Sequence, residues 1–368
     1  MKKLLISIGS LIVLFVLAFT IWHWSQTESI VPTQNVTINF KGNILAITHA
    51  DMVAGAYANG ELNKVKGIED KLALLSGING NLALTSSLEV SNSVISWPAI
   101  PKWNGTNKLA YVAETRAPHK EPSQKMDNVF VDFNVGKKIT VIDYKDPKKP
   151  VIFQEKEVGQ NLQGVSINKD RTLLVSGSTE EGKEIVIMRL ENGLIDNSFY
   201  FSNPNIDSGD KGNGGIRTIE FHPTKNIIAA NLNNTHLVFY EIVDKGLSIE
   251  IKQIGEPISV GKRWSVGNWH PSGNFFILSD VAWGDGLEQI THGKGALVSV
   301  VFNDNGNHNI ISKVKVGLSP EGFDISPDGN YAVTVNMRRT WAPKNGFWFV
   351  PAKKTSSLFL NKNKSENG

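Results

Sequence analysis

From Val36 onward the chain alternates short apolar runs with polar turns rich in Asn, Asp, Gly and Pro. Four segments repeat one pattern: an apolar strand, a tight turn, then a second apolar strand. They begin at Val165 (Val-Ser-Ile-Asn-Lys-Asp-Arg-Thr-Leu-Leu-Val), Ile219 (Ile-Glu-Phe-His-Pro-Thr-Lys-Asn-Ile-Ile-Ala), Gly267 (Gly-Asn-Trp-His-Pro-Ser-Gly-Asn-Phe-Phe-Ile) and Phe323 (Phe-Asp-Ile-Ser-Pro-Asp-Gly-Asn-Tyr-Ala-Val). The turn residues supply the fixed or positive φ that a hairpin connection needs. Fainter copies run through Phe40–Ala46 and Asn104–Ala110. After residue 30 no apolar stripe at helical spacing appears.

Equivalent turn positions fall at Phe40, Asn104, Lys169, Pro223, Pro271 and Pro327, separated by 64, 65, 54, 48 and 56 residues. All-β units of roughly 50 residues suit the four-stranded blades of a β-propeller. The predicted strands of the third unit are 164–168, 173–176, 184–190 and 198–202. Those of the fourth are 218–222, 227–231, 236–242 and 248–254. The fifth gives 265–270, 275–280, 296–302 and 310–316, and the sixth 322–326, 331–336 and 357–360. The sequence thus predicts an all-β propeller over 36–368 with six visible blades, the last without its outer strand. Either Ser29–Val31 closes the ring or the chain is a truncated product. An open ring would expose a sheet edge.

The N-terminus breaks this pattern. Lys2 and Lys3 precede an uncharged run from Leu4 to Trp22. A run of that length approaches the roughly 20 residues that span a bilayer, and exceeds the ~7–15 of a signal-peptide core. Trp22 and Trp24 sit where an interfacial aromatic belt would lie, and the lysines place the N-terminus in the cytoplasm. Residues 1–25 therefore read as a signal anchor, with a cleaved signal peptide as the alternative. Residues 26–35 read as a linker. This predicts a membrane contact through residues 4–22 and a propeller outside the cytoplasm, periplasmic or at the cell surface.

Composition narrows the chemistry. The chain has 368 residues and a net charge of +3, with no dense Lys/Arg run, so nothing marks a nucleic-acid partner. It has no cysteine, which removes disulfides, thiolate metal sites and cysteine nucleophiles together. Gly-x-Ser-x-Gly, His-Glu-x-x-His, P-loop and Gly-x-Gly-x-x-Gly signatures are absent.

The stretch Phe323-Asp-Ile-Ser-Pro-Asp-Gly-Asn-Tyr-Ala-Val-Thr-Val resembles the YVTN-type repeat of lactonase-like seven-bladed propellers. Gly215-Ile-Arg-Thr-Ile-Glu-Phe-His-Pro223, with Ala230-Asn-Leu-Asn-Asn and Val238-Phe-Tyr, is similar to a blade of the bacterial lactonase and muconate-cycloisomerase-like group. Val141-Ile-Asp-Tyr-Lys-Asp-Pro-Lys-Lys-Pro150 resembles the related LVIVD-type repeat. The resemblance covers most of 36–360 and implies seven blades. It is shared by enzymes, surface proteins and electron-transfer subunits. Asn231-Leu232 stands where lactonase-like blades often carry Asn-Glu.

Loop lengths locate a site. The turns between first and second strands are all short, whereas second-to-third connections are long near 50–70, 115–136, 281–295 and 337–355. Insertions confined to one face mark a binding face. Arg217, Arg263 and Glu321 lie at or just before innermost strands, near the channel mouth. Arg116, His119, Asp285, His292, Arg338 and Arg339 lie on the long loops, with Trp264, Trp283, Trp341 and Trp348 adding flat surfaces. Arginines among aromatics suit a carboxylate, phosphate or acidic sugar. The predicted ligand residues are Arg217, Arg263, Trp264, Asp285, His292, Arg338 and Arg339. Glu321 or His119 is the candidate general base. His222 and His270 occupy one repeat position in short turns on the opposite face, and so read as structural rather than metal-binding. Asp207, Asp210 and Asn213 form a Gly-rich loop that could hold calcium but lacks the EF-hand pattern, so no metal or cofactor is assigned. The leading expectation is a membrane-anchored propeller that binds a small anionic ligand or a protein partner through its loop-rich face. The alternative is a lactonase-like hydrolase or cycloisomerase acting on a small anionic substrate.

Overall fold

The structure is a computed structural model, which describes residues 2–27, 42–48, 61–63, 69–78, 81–92, 101–118, 123–125, 134–202, 216–284, 292–337 and 356–361. One helix, α1 (Lys2–Thr27), covers the N-terminal apolar run. Among the described residues no helix is long and apolar enough to cross a membrane, so the anchor expected over residues 4–22 gains no support.

The strands follow in order: β1 (Gly42–Thr48), β2 (Glu61–Asn63), β3 (Lys71–Ile78), β4 (Asn81–Glu89), β5 (Pro101–Asn104), β6 (Leu109–Ala113), β7 (Ser123–Lys125), β8 (Lys138–Asp143) and β9 (Val151–Glu157). Then come β10 (Gln163–Ile167), β11 (Leu173–Gly177), β12 (Ile185–Glu191), β13 (Leu194–Phe201), β14 (Ile219–Phe221), β15 (Ile227–Leu232), β16 (His236–Asp244) and β17 (Ile249–Ser259). The last are β18 (Trp264–Trp269), β19 (Phe275–Asp280), β20 (Ala296–Val301), β21 (Asn309–Lys315), β22 (Pro320–Ile325), β23 (Tyr331–Asn336) and β24 (Ser356–Asn361).

These strands build a β-propeller. Five blades follow one another: β5-β6-β8-β9, β10-β11-β12-β13, β14-β15-β16-β17, β18-β19-β20-β21 and the three strands β22-β23-β24. A further three-stranded sheet, β1-β3-β4, precedes them. The seven blades that the resemblance implies are not reached among the described residues. Every pairing within these sheets is antiparallel. The inner strands sit side by side, β5 by β10, β10 by β14, β14 by β18 and β18 by β22.

Burial explains the hydropathy pattern. The second strands β6, β11 and β15 are buried at every position, because a neighbouring blade covers each face. The outer strands β9 and β21 are mostly exposed, with only alternate positions half-buried. The core is a series of layers between adjacent sheets. One joins Tyr111 and Val141 to Val165 and Met188. The next joins Val175 and Ile187 to Ile228 and Tyr240, and the third joins Phe239 to Trp264, Phe276 and Val298. Leu72 and Val90 pack on Val112 and Tyr144, tying the first sheet to the first blade.

The short turns also join blade to blade. His222 Nε2 donates to the Gly273 carbonyl of the next blade (2.9 Å), while its Nδ1 accepts the Thr224 and Lys225 amides. His270 repeats this with Gly329 and the Ser272 amide. Asn168 takes the same position one blade earlier: its Oδ1 accepts the Thr172 and Leu173 amides and its Nδ2 donates to Asn226. Both nitrogens of each His-Pro imidazole are thus engaged in holding turns. β13 starts at Leu194, four residues before the predicted strand, because Asn192 and Gly193 take positive φ (51° and 84°) and form a two-residue hairpin.

Candidate functional site

The inner strands begin irregularly. Register shifts fall between Gln163 and Ser166, between Trp264 and Gly267, and between Pro320 and Gly322. Glu321 is the extra residue of the last bulge. A bulge re-aims a side chain that strict alternation would send elsewhere.

Asn and Asp at the ends of second strands brace these starts. Asn231 Oδ1 accepts the Arg217 and Thr218 amides, and Thr218 returns its carbonyl to the Asn231 amide. Asp280 accepts the Ala282 amide (2.9 Å) and the Lys313 ammonium (3.0 Å), with the Arg263 amide at 3.4 Å. Asn336 lies against Gly317, where a Cβ would come within 2.3 Å of its side-chain carbon. Asn231 thus has a bracing role in this chain. Sequence reading missed the set. The available signal was a polar residue closing three successive apolar strands.

The braced loops present Arg217 and Glu321 from blades three and five. Arg217 is buried, and its positive charge acts on the Glu321 carboxyl. Burial pushes the Glu321 carboxyl up to about 7, and Arg217 partly opposes this. A carboxyl that titrates near neutrality beside a guanidinium can exchange a proton while the guanidinium holds an anion. Arg263 is half-buried at the start of β18. Arg116 is buried at the base of an insertion and donates through Nη1 to Asn161 (3.2 Å); burial holds its pKa below the usual arginine value.

Other predicted residues fall differently. Trp264 is fully buried in the layer between blades three and four, and its indole N–H donates to the His236 carbonyl. It is a packing residue, not a ligand platform, because inner-strand aromatics fill the space between blades. Trp283 is half-buried and donates its indole N–H to Ser319 Oγ (2.9 Å). His292 is buried, with Nδ1 3.0 Å from the Gly293 carbonyl and Nε2 3.5 Å from Ser319 Oγ. His119, Asp285, Arg338, Arg339, Trp341 and Trp348 lie outside the described residues, as do Asp207, Asp210 and Asn213.

Two of the long connections meet among the described residues. β2 and β7, from two different insertions, pair antiparallel with Glu61 opposite Lys125 and Asn63 opposite Ser123. Two neighbouring long connections are thereby joined into one ribbon.

Further along their length, successive inner strands share polar contacts. The buried Glu220 carboxylate accepts Lys102 Nζ (2.9 Å) and Ser166 Oγ (2.6 Å), and Asn268 donates to Asp324.

Fold and site together define an all-β propeller in which a carboxyl and a buried guanidinium from two blades lie within electrostatic reach of each other. Among solved structures, the chain is similar to a periplasmic gluconolactonase of Pseudomonas aeruginosa, at 12% identity over 90% of this chain and 84% of that one, TM-score 0.54. It is also similar to candidate 6-phosphogluconolactonases of Bacteroides uniformis (11%, 82% and 84%, TM-score 0.53) and Bacteroides fragilis (12%, 79% and 75%, TM-score 0.51). At this identity the likeness is one of fold. No protein-family model and no curated protein matches the chain at the sequence level.

Proposed function

We propose that the protein is a lactonase-like hydrolase acting on a small anionic substrate at the propeller mouth. The observation that carries this reading is the pairing of Glu321, raised to about 7 by burial, with the buried Arg217. Glu321 as carboxylate takes a proton from water. The resulting hydroxide attacks the lactone carbonyl, the ring C–O bond breaks, and the ring oxygen leaves as a hydroxyl once protonated. Arg217 holds either the substrate anion or the developing oxyanion. Arg263 is the second cation for a phosphate or carboxylate. The fold likeness supports the class, not the substrate.

Turnover of a panel of anionic and neutral lactones tests this. Glu321→Gln should lower kcat by about 10²–10⁴-fold. Arg217→Ala should remove the preference for anionic members. Wild-type turnover that neither substitution changes would refute the roles. No turnover of any lactone would refute the enzyme reading.

A second reading, a binding module without chemistry, rests on the ribbon of β2 and β7 across the loop-rich face. Saturable partner binding with no turnover would favour it. An address outside the cytoplasm is proposed from the lysine-flanked apolar run alone. N-terminal sequencing and fractionation of the mature protein test it.

A further inference from the structure

The turn that delivers Glu321 to the mouth is held in an unfavourable backbone conformation. Gly317, Leu318, Ser319 and Pro320 carry the chain into β22. Ser319 is fully buried and has φ +54°, in the left-handed region that side chains disfavour. It also directly precedes a proline, which drives its predecessor towards extended backbone. Such a conformation persists only where its surroundings over-determine it.

The surroundings here are specific. The Ser319 hydroxyl accepts the Trp283 indole N–H at 2.9 Å. It lies 3.5 Å from His292 Nε2, and since Nδ1 of that ring faces the Gly293 carbonyl, Nε2 is left as the acceptor for the hydroxyl proton. The Ser319 carbonyl accepts the Met337 amide (2.8 Å) and the Glu321 amide (3.0 Å). Pro320 is backed from behind: a Cβ on Gly295 would lie 2.4 Å from its Cδ. The next residue, Glu321, is the extra one of the bulge. Trp283 and His292 come from opposite ends of the blade-four insertion, so one hydroxyl ties both ends to the turn.

We propose that Ser319 is a positioning residue: its hydroxyl, held between Trp283 and His292, keeps the turn that aims the Glu321 carboxyl at Arg217. The proposal deepens the hydrolase reading and rests on Glu321 being the working group, but its test needs no substrate. Without the hydroxyl, the turn relaxes towards extended backbone, and the carboxyl moves from its half-buried place further into water.

The test is a ¹³C NMR titration of glutamate side-chain carboxyls in the full chain. The Glu321 signal is identified by its loss in Glu321→Gln. Ser319→Ala and Trp283→Phe remove the same hydrogen bond from opposite ends, and the second keeps an aromatic ring in place. Each should lower the Glu321 midpoint by about one unit or more, a tenfold change in the proton equilibrium. The double variant should go no lower than the larger single shift. Should Ser319→Ala fail to melt cooperatively, Trp283→Phe decides. A Glu321 midpoint unchanged in a folded variant overturns the proposal. Absence of lactone turnover in the wild type would refute the hydrolase reading and leave this result standing.

Discussion

Removing the His222 ring tests the blade-to-blade turns most directly. In His222→Ala the Thr224 and Lys225 amides lose Nδ1, but both residues are exposed and their N–H groups regain water. The Gly273 carbonyl belongs to a buried residue and is left without its donor, at about 1–3 kcal/mol. The ring also packs edge-on against Trp269 (centroids 4.6 Å apart) and near Phe302 (5.8 Å), and that contact adds about 1 kcal/mol. The expected cost is about 3 kcal/mol, or roughly 6–12 °C in Tm at about 2–4 °C per kcal/mol. His222→Asn should recover about 1 kcal/mol, because Asn168 shows that an amide at this position can accept both turn N–H groups. Urea unfolding read by tryptophan fluorescence measures both. The imidazole works as a neutral ring, and burial holds its pKa below the ordinary histidine value. Its folded pKa therefore lies below its unfolded one, and stability is lost as pH falls below about 6.5. His222→Ala should lose less stability over that interval, the remainder coming from His308, whose pKa is also lowered by burial. An alanine cost under about 1 kcal/mol, or an asparagine variant no better than alanine, would refute the reasoning.

The Glu321 carboxyl predicts the opposite pH dependence. Its folded pKa is raised, so wild-type stability should fall as pH climbs from the ordinary glutamate range through about 7. Glu321→Gln should flatten that slope and be the more stable protein at pH 8; a steeper slope would contradict burial as the cause. The Asp280–Lys313 pair should be asymmetric. Asp280 is almost fully buried and also holds the Ala282 amide, whereas half of the Lys313 side chain is exposed. Asp280→Ala should cost about 3 kcal/mol and Lys313→Ala about 1 or less, checked by denaturant unfolding. Equal costs would mean that the ion pair, rather than the bracing of the loop, is what Asp280 supplies.

Much of the architecture was legible because a propeller blade is a local object. Each unit's strands and turns are consecutive in sequence, so the repeat at Val165, Ile219, Gly267 and Phe323 placed β19 and β23 at the observed bounds. Glu321 and Arg217 were legible as residues at or just before the start of inner strands. Their relation was not. They lie on blades three and five, and only the ring brings them within electrostatic reach.

Burial was the other quantity hidden from the sequence. Trp264 looked like a flat surface for a ligand, yet an inner-strand aromatic next to Phe276 is covered by the adjoining blade. Ser319 drew no notice, since a serine before a proline reads as an ordinary turn. Its left-handed backbone and its two ring partners come from an insertion of the neighbouring blade. The sequence by itself determined the repeat and most of the strands, because these follow from local periodicity and turn chemistry. The tertiary structure alone decided which polar groups are withdrawn from water, and so which carboxyl titrates near neutrality. Desolvation depends on what the other blades place around a residue, not on its neighbours in the chain.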